Sequence, residues 1–97
     1  MTLPKVYVGC ALTHAPESFK EMVAQFKAQL ARAGYAEILD FVDMHDSTPT
    51  QAYDHDIGCV RSCDALIAFL DLPSLGLGME LQEAIVQGKA VLCLCPT

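Results

Sequence analysis

The chain has 97 residues, 53% of them hydrophobic, and a formal net charge of −6 with only six Lys and Arg. That length holds one small domain, and the apolar content is too high for a disordered chain. No apolar run approaches the roughly 20 residues that span a bilayer, and six cations cannot build the basic face that nucleic acid demands, so neither a membrane nor a nucleic-acid polymer is an expected partner.

The opening, MTLPKVYVGC, lacks the long apolar stretch and small-residue cleavage site of a secretory signal, so a cytoplasmic protein is expected. Residues 5–10 read as a β-strand, and ALTHAP breaks it, with Pro16 suited to the first turn of a helix. Over 17–33, Phe19, Met22, Val23, Phe26 and Leu30 recur at helical spacing, and Gly34 is the stop signal. A second strand is read at 36–42, followed by the polar loop DMHDSTPT. Thr48 or Thr50 caps the next helix, roughly 50–62. DALIAFLD, 64–71, is a nearly continuous apolar run, the pattern of a strand buried on both faces. LPSLGLG reads as a loop, 79–87 as a helix with Leu81, Ala84 and Ile85 inward, and KAVLCLC as a fourth strand after Gly88.

The order βαβαβαβ specifies a three-layer α/β sandwich of the flavodoxin or Rossmann kind, a parallel sheet of about four strands with helices on both faces. Ligands of such sheets bind beyond the carboxyl ends of the strands, near the switch point. The loops ALTHAP, DMHDSTPT and LPSLGLG all fall at that edge.

Two carboxylates stand out there. Glu80 follows Gly76 and Gly78 at the expected helix start, where it either complements the helix dipole or acts on a ligand that the glycine turn lets approach. The residues alone leave both open, with the dipole reading slightly ahead. Asp56 falls on the apolar stripe marked by Tyr53, Ile57 and Val60. A carboxylate there is costly unless paired or facing a pocket, and an exposed stripe edge explains it equally well. Two carboxylates in one cleft suit attack at a glycosidic carbon, and they suit a Mg²⁺ site equally.

The other signals are weaker. SLGLG is neither a Walker loop nor a dinucleotide fingerprint, so a nucleotide cofactor is not expected. Ser74 and the free N–H groups near it suit an oxyanion or a sugar hydroxyl. Tyr7 is either core or pocket wall, while His14 and His45 read as solvated loop residues. Five cysteines, an odd number, read as reduced thiols, with Cys10, Cys93 and Cys95 as small core residues. His55, Cys59 and Cys63 form a row at helical spacing that could hold a metal, but no CxxC and no fourth ligand accompany it, so buried thiols are expected. Asp40, Asp43, Asp46, Asp54 and Asp56 form an acidic cluster, either a solvated face or the lining of a site.

The stretch YDHDIGCVRSCDALIAFLDLPSLGLGMELQEAIVQGKAVLCL resembles the nucleoside 2-deoxyribosyltransferase family, closest to its 2′-deoxynucleoside 5′-phosphate N-hydrolase branch. The shared pattern is a helical Asp (Asp56), a DxxIA strand (Asp64 to Ala68), a PSxGxGxE segment (Pro73 to Glu80) and a GKxVL strand (Gly88 to Leu92). The resemblance implies that Glu80 is the nucleophile toward the anomeric carbon, that Asp56 holds the sugar, and that Ser74 lies near the sugar's 5′ end. It places Tyr7 in the pocket, with Gly76 and Gly78 as substrate-binding positions.

The chain departs from the pattern in three places. Ala11 and Thr13 stand where the N-hydrolases carry Ser and Arg, and they cannot reproduce a charged phosphate contact. Met79 replaces a common aromatic residue. The sequence stops at CPT, where family members continue with a segment that helps complete the neighbouring site of a dimer.

The expectation is thus one domain over 1–97, shorter at its C-terminal end than its family. It would cleave or transfer the N-glycosidic bond of a nucleoside or nucleotide through a Glu80 glycosyl-enzyme, without cofactor or metal, as a homodimer. The competing expectations are a non-catalytic sensor of a nucleoside-like ligand and a Mg²⁺-dependent hydrolase built on the Asp cluster.

Overall fold

The structure, a computed structural model, describes residues 2–40 and 48–95. Seven elements follow in order: β1 (Lys5–Gly9), α1 (Glu17–Arg32), β2 (Glu37–Leu39), α2 (Pro49–Ser62), β3 (Ala65–Phe69), α3 (Leu75–Val86) and β4 (Ala90–Leu94). The strands pair in parallel in the order β2-β1-β3-β4. Because β2 lies on one side of β1 and β3 on the other, the chain reverses its winding direction at β1, and the switch point falls between β1 and β3.

Strand alternation divides the core between two faces. Val6 and Val8 of β1 and Phe69 of β3 meet Val23 of α1, with Phe26 edge-on to Phe69 at 5.2 Å between centroids. Tyr7 of β1 and Leu66 and Ala68 of β3 point the other way, into Val60 of α2 and Leu77 and Ala84 of α3. The sandwich therefore has α1 on one face and α2 with α3 on the other. Arg61 donates to Glu83, linking α2 to α3 across the outside of that layer.

The helix ends follow from local chemistry. Thr48 caps α2 in a capping box: its Oγ1 accepts from the Gln51 N–H at 3.1 Å, and Gln51 Oε1 accepts from the Thr48 N–H at 3.0 Å. Gly34 and Gly88, at φ of 77° and 71°, take the left-handed conformation that stops α1 and α3.

Several expectations need correction. Helix α3 begins at Leu75, four residues earlier than its glycines suggested, because the Ser74 hydroxyl accepts from the Leu77 N–H at 3.2 Å and caps it. Gly76 and Gly78 are thus helical rather than part of a loop. β4 is an edge strand, so Cys93 and Cys95 are exposed and are not core residues, whereas Cys10 is buried. Ile85 and Met22 are exposed, on the outer sides of their helices. β2 ends at Leu39; the part of the acidic loop with Asp43, His45 and Asp46 lies outside the described residues.

Candidate functional site

The site lies where the topology placed it, at the carboxyl ends of β1 and β3 beside the switch point. β1 supplies Tyr7, turned toward α2 and α3 and only 1% exposed. Two residues on, Gly9 brings strand and helix together. A Cβ there would stand 2.8 Å from Leu77 Cδ1 and 3.4 Å from Glu80 Oε1, so a bare backbone lets α3 press against β1.

Glu80 sits in the second turn of α3, away from the exposed start, and is 8% exposed. That position weakens the helix-dipole explanation, since the dipole acts within the first turn. Its carboxylate faces the Tyr7 hydroxyl, which lies 3.2 Å from both Oε1 and Oε2. Burial pushes the Glu80 carboxyl up to about 7, the charge of Asp56 adds to this, and the Tyr7 hydrogen bond opposes it. The Tyr7 phenol is raised far above its ordinary range by burial and then by the Glu80 and Asp56 charges. Tyr7 therefore stays a neutral donor.

Asp56 reaches the same place from α2. It lines a cleft of about 230 Å³ together with Tyr7, Glu80, Ser74 and Gly76. Ala52, Ile57 and Leu77 form apolar wall, and Tyr53 stands half-exposed at the opening. A second cleft, of about 440 Å³, adjoins it through Leu12, Thr13, Ser74 and Gly76 and extends to His14 and Pro73. Two carboxylates of unequal environment, a phenol donor and a half-open apolar wall can activate one carboxylate as a nucleophile while the other holds a polar ligand.

Five of the six candidate residues thus come together: Tyr7, Asp56, Ser74, Gly76 and Glu80. Gly78 does not line either cleft and is exposed on α3. Cys10, Leu12 and Tyr53 also line the site; Cys10 is buried in the core as expected, while Tyr53, expected on the apolar stripe of α2, is half-exposed. Tyr53 stands three residues before Asp56, a spacing that could have flagged it as a neighbour on one helix face.

The row of His55, Cys59 and Cys63 is split between two surroundings. Cys63 is buried and donates to the Val60 carbonyl, while Cys59 and His55 sit 3.5 Å apart and both reach the Asp40 carbonyl. No group of three or more His, Cys, Asp or Glu side chains converges among the described residues. No described helix is long and apolar enough to cross a membrane.

Comparison with known proteins identifies the family and the fold. The family model described as nucleoside 2-deoxyribosyltransferase matches residues 6–97. A protein of Thermofilum pendens, whose name assigns it to the 2′-deoxynucleoside 5′-phosphate N-hydrolases, is 36% identical over 96 residues, covering 93% of this chain and 66% of its own. The 5-hydroxymethyl-dUMP N-hydrolase of Mus musculus is 40% identical over 42 residues, 43% of this chain and 24% of its own. Among solved structures, a 2-deoxyribosyltransferase from Leishmania mexicana superposes with a TM-score of 0.82 at 21% identity, covering 97% of this chain and 65% of that one. The CMP N-glycosidase of Clostridium botulinum superposes with a TM-score of 0.73 at 26% identity, covering 94% and 68%. The chain spans about two thirds of the length of the Thermofilum relative.

Proposed function

Since this chain belongs to the nucleoside 2-deoxyribosyltransferase family, we propose that it cleaves or transfers the N-glycosidic bond of a (deoxy)nucleoside or nucleoside 5′-monophosphate. The observation that supports this best is the pairing of a buried Glu80, held through both carboxylate oxygens by Tyr7, with Asp56 in the same cleft.

In this reading the Glu80 carboxylate attacks the anomeric carbon. The carbon–nitrogen bond breaks, and the base leaves with its electron pair and takes up a proton. A glycosyl ester on Glu80 results. Water, or a nitrogen of a second base, then attacks the same carbon and expels the carboxylate. Tyr7 orients Glu80 in both steps. Asp56 accepts from sugar hydroxyls, and Ser74 and the first turn of α3 meet the sugar's 5′ end. No metal or cofactor enters.

The test is base release, followed by chromatography, from a panel of nucleosides and their 5′-monophosphates, with and without an acceptor base. Wild type is expected to release base, and Glu80→Gln to lose at least about a thousandfold of that rate. Ligand binding without product, in protein shown to be folded, would overturn the enzyme reading and leave a sensor domain.

The same reading makes the protein a cytoplasmic homodimer. Support comes from five unpaired thiols and from exposed apolar side chains, Ile85 and Val86 on α3 and Leu92 on the edge strand β4. Sedimentation is expected to give twice the chain mass; a monomer at high concentration would exclude the dimer.

A further inference from the structure

We propose that His55, Cys59 and the main-chain carbonyl of Asp40 form a second site, outside both clefts, for one borderline-soft divalent cation of the zinc kind. The site is independent of the glycosidic reading, and the ion takes no part in that reaction.

The sequence sets His55, Cys59 and Cys63 in one row at i, i+4 spacing. The structure divides the row. Cys63 is buried, and its thiol donates to the Val60 carbonyl of its own helix. His55 and Cys59 turn instead to the residue after β2, where the Asp40 carbonyl supplies a third donor. Three donor atoms of three kinds meet there. His55 Nε2 lies 3.5 Å from Cys59 Sγ and 3.0 Å from the Asp40 oxygen, and Cys59 Sγ lies 3.7 Å from that oxygen.

These separations are close to those of one face of a coordination tetrahedron. Zinc bonds of about 2.3 Å to sulfur, about 2.05 Å to nitrogen and about 2.1 Å to oxygen hold their donors apart by about 3.6 Å (N to S), about 3.4 Å (N to O) and about 3.6 Å (S to O). The triangle here departs from that by about 0.4 Å on its shortest edge and by about 0.1 Å on the other two. An ion therefore seats with a small shift of the His55 ring. His55 is exposed and Cys59 is half-buried, so water reaches the fourth position.

Charge agrees with the geometry. The carboxylates of Asp56 and Asp40 both act on the Cys59 sulfur, and the same negative field favours a dication. Lys27 opposes it, but its ammonium is held by the Asp40 carboxylate at 2.7 Å. On binding, the Cys59 thiol gives its proton to solvent and the neutral His55 ring keeps its hydrogen on Nδ1. Sγ, Nε2 and the carbonyl oxygen then each donate an electron pair, and one proton is released per ion. The bound ion ties the end of β2 to α2, the helix that carries Asp56.

The experiment titrates the full chain, reduced and stripped with a chelator, with Co²⁺, whose absorption reports thiolate ligation and coordination number. One equivalent is expected to bind, with a thiolate-to-cobalt charge-transfer band, visible bands of four-coordinate intensity, release of one proton, and displacement by Zn²⁺. Removing a group that merely supports a metal ligand costs about 10–100-fold in affinity, so His55→Ala and Cys59→Ser, each checked by circular dichroism, are expected to weaken binding at least about tenfold. The double variant Cys93→Ser/Cys95→Ser, which removes the exposed thiols, is expected to leave the titration unchanged.

No thiolate band with cobalt in large excess overturns the inference. So does a band that survives Cys59→Ser, one that is lost with Cys93 and Cys95, or an affinity unchanged by His55→Ala. His55 is exposed on α2, so its replacement decides the matter even where Cys59→Ser fails to fold.

Discussion

Glu80 is a carboxylic acid placed where its charge is costly, and pH reports on that placement. With its carboxyl near 7, kcat/KM is expected to rise with pH and level off above a midpoint of about 7. A midpoint in the ordinary glutamate range would mean that burial does not control the site. Tyr7→Phe removes the hydrogen bond that holds the carboxyl down, so its midpoint is expected to move upward and its kcat to fall. Stability follows with a defined sign. Between the ordinary 4.5 and about 7, the folded chain keeps a proton that the unfolded chain has lost. Stability therefore falls as pH rises through that window and is flat above it, a change of about 3 kcal/mol. Glu80→Gln is expected to melt about 12–24 °C above wild type at pH 8 and to lose that advantage at pH 4. In the sequence this residue looked slightly more like helix decoration than like a nucleophile. What separates the two is its depth along α3, which depends on a cap six residues earlier. Asp56 was ambiguous for a related reason: a stripe on a helix says which side is apolar, but not where a neighbouring strand ends and a cleft opens.

Helix α3 shows how local composition misleads about an element's boundary. Two glycines in four residues suggested a loop, yet neither takes a positive φ, and a Cβ on Gly78 would meet nothing within 4 Å. Gly78→Ala is therefore expected to stabilise the protein by about 0.5–1 kcal/mol, since it restrains the unfolded chain without strain in the folded one. Because Gly78 does not line the clefts, base release should be unchanged; a lower melting temperature would restore the loop reading. β1, α1 and α2 were more legible because their signals agree: apolar spacing, a stop glycine at Gly34 and a capping threonine at Thr48. β4 was legible as a strand but not as an edge. Its apolar run resembles that of β3, and only the sheet order shows that β3 is covered by strands on both sides while β4 has one neighbour.

At the scale of the molecule, alternation of strands and helices was enough to place three loops at one sheet edge, and the structure puts the clefts there. What sequence spacing could not convey is the distance along the chain over which the site is assembled. The hydroxyl of Tyr7 and the carboxylate of Glu80 are 73 residues apart, so their contact forms only after β1 has gained β3 beside it and α3 has folded down onto both. Activity in such a design cannot belong to a part of the fold. A partly folded chain, with α3 lifted from β1, would leave Glu80 hydrated and without its phenol donor, an ordinary surface acid. On the proposed reading, then, any chemistry at Glu80 requires the β1–α3 contact, and a chain that has not made it has no site to act with.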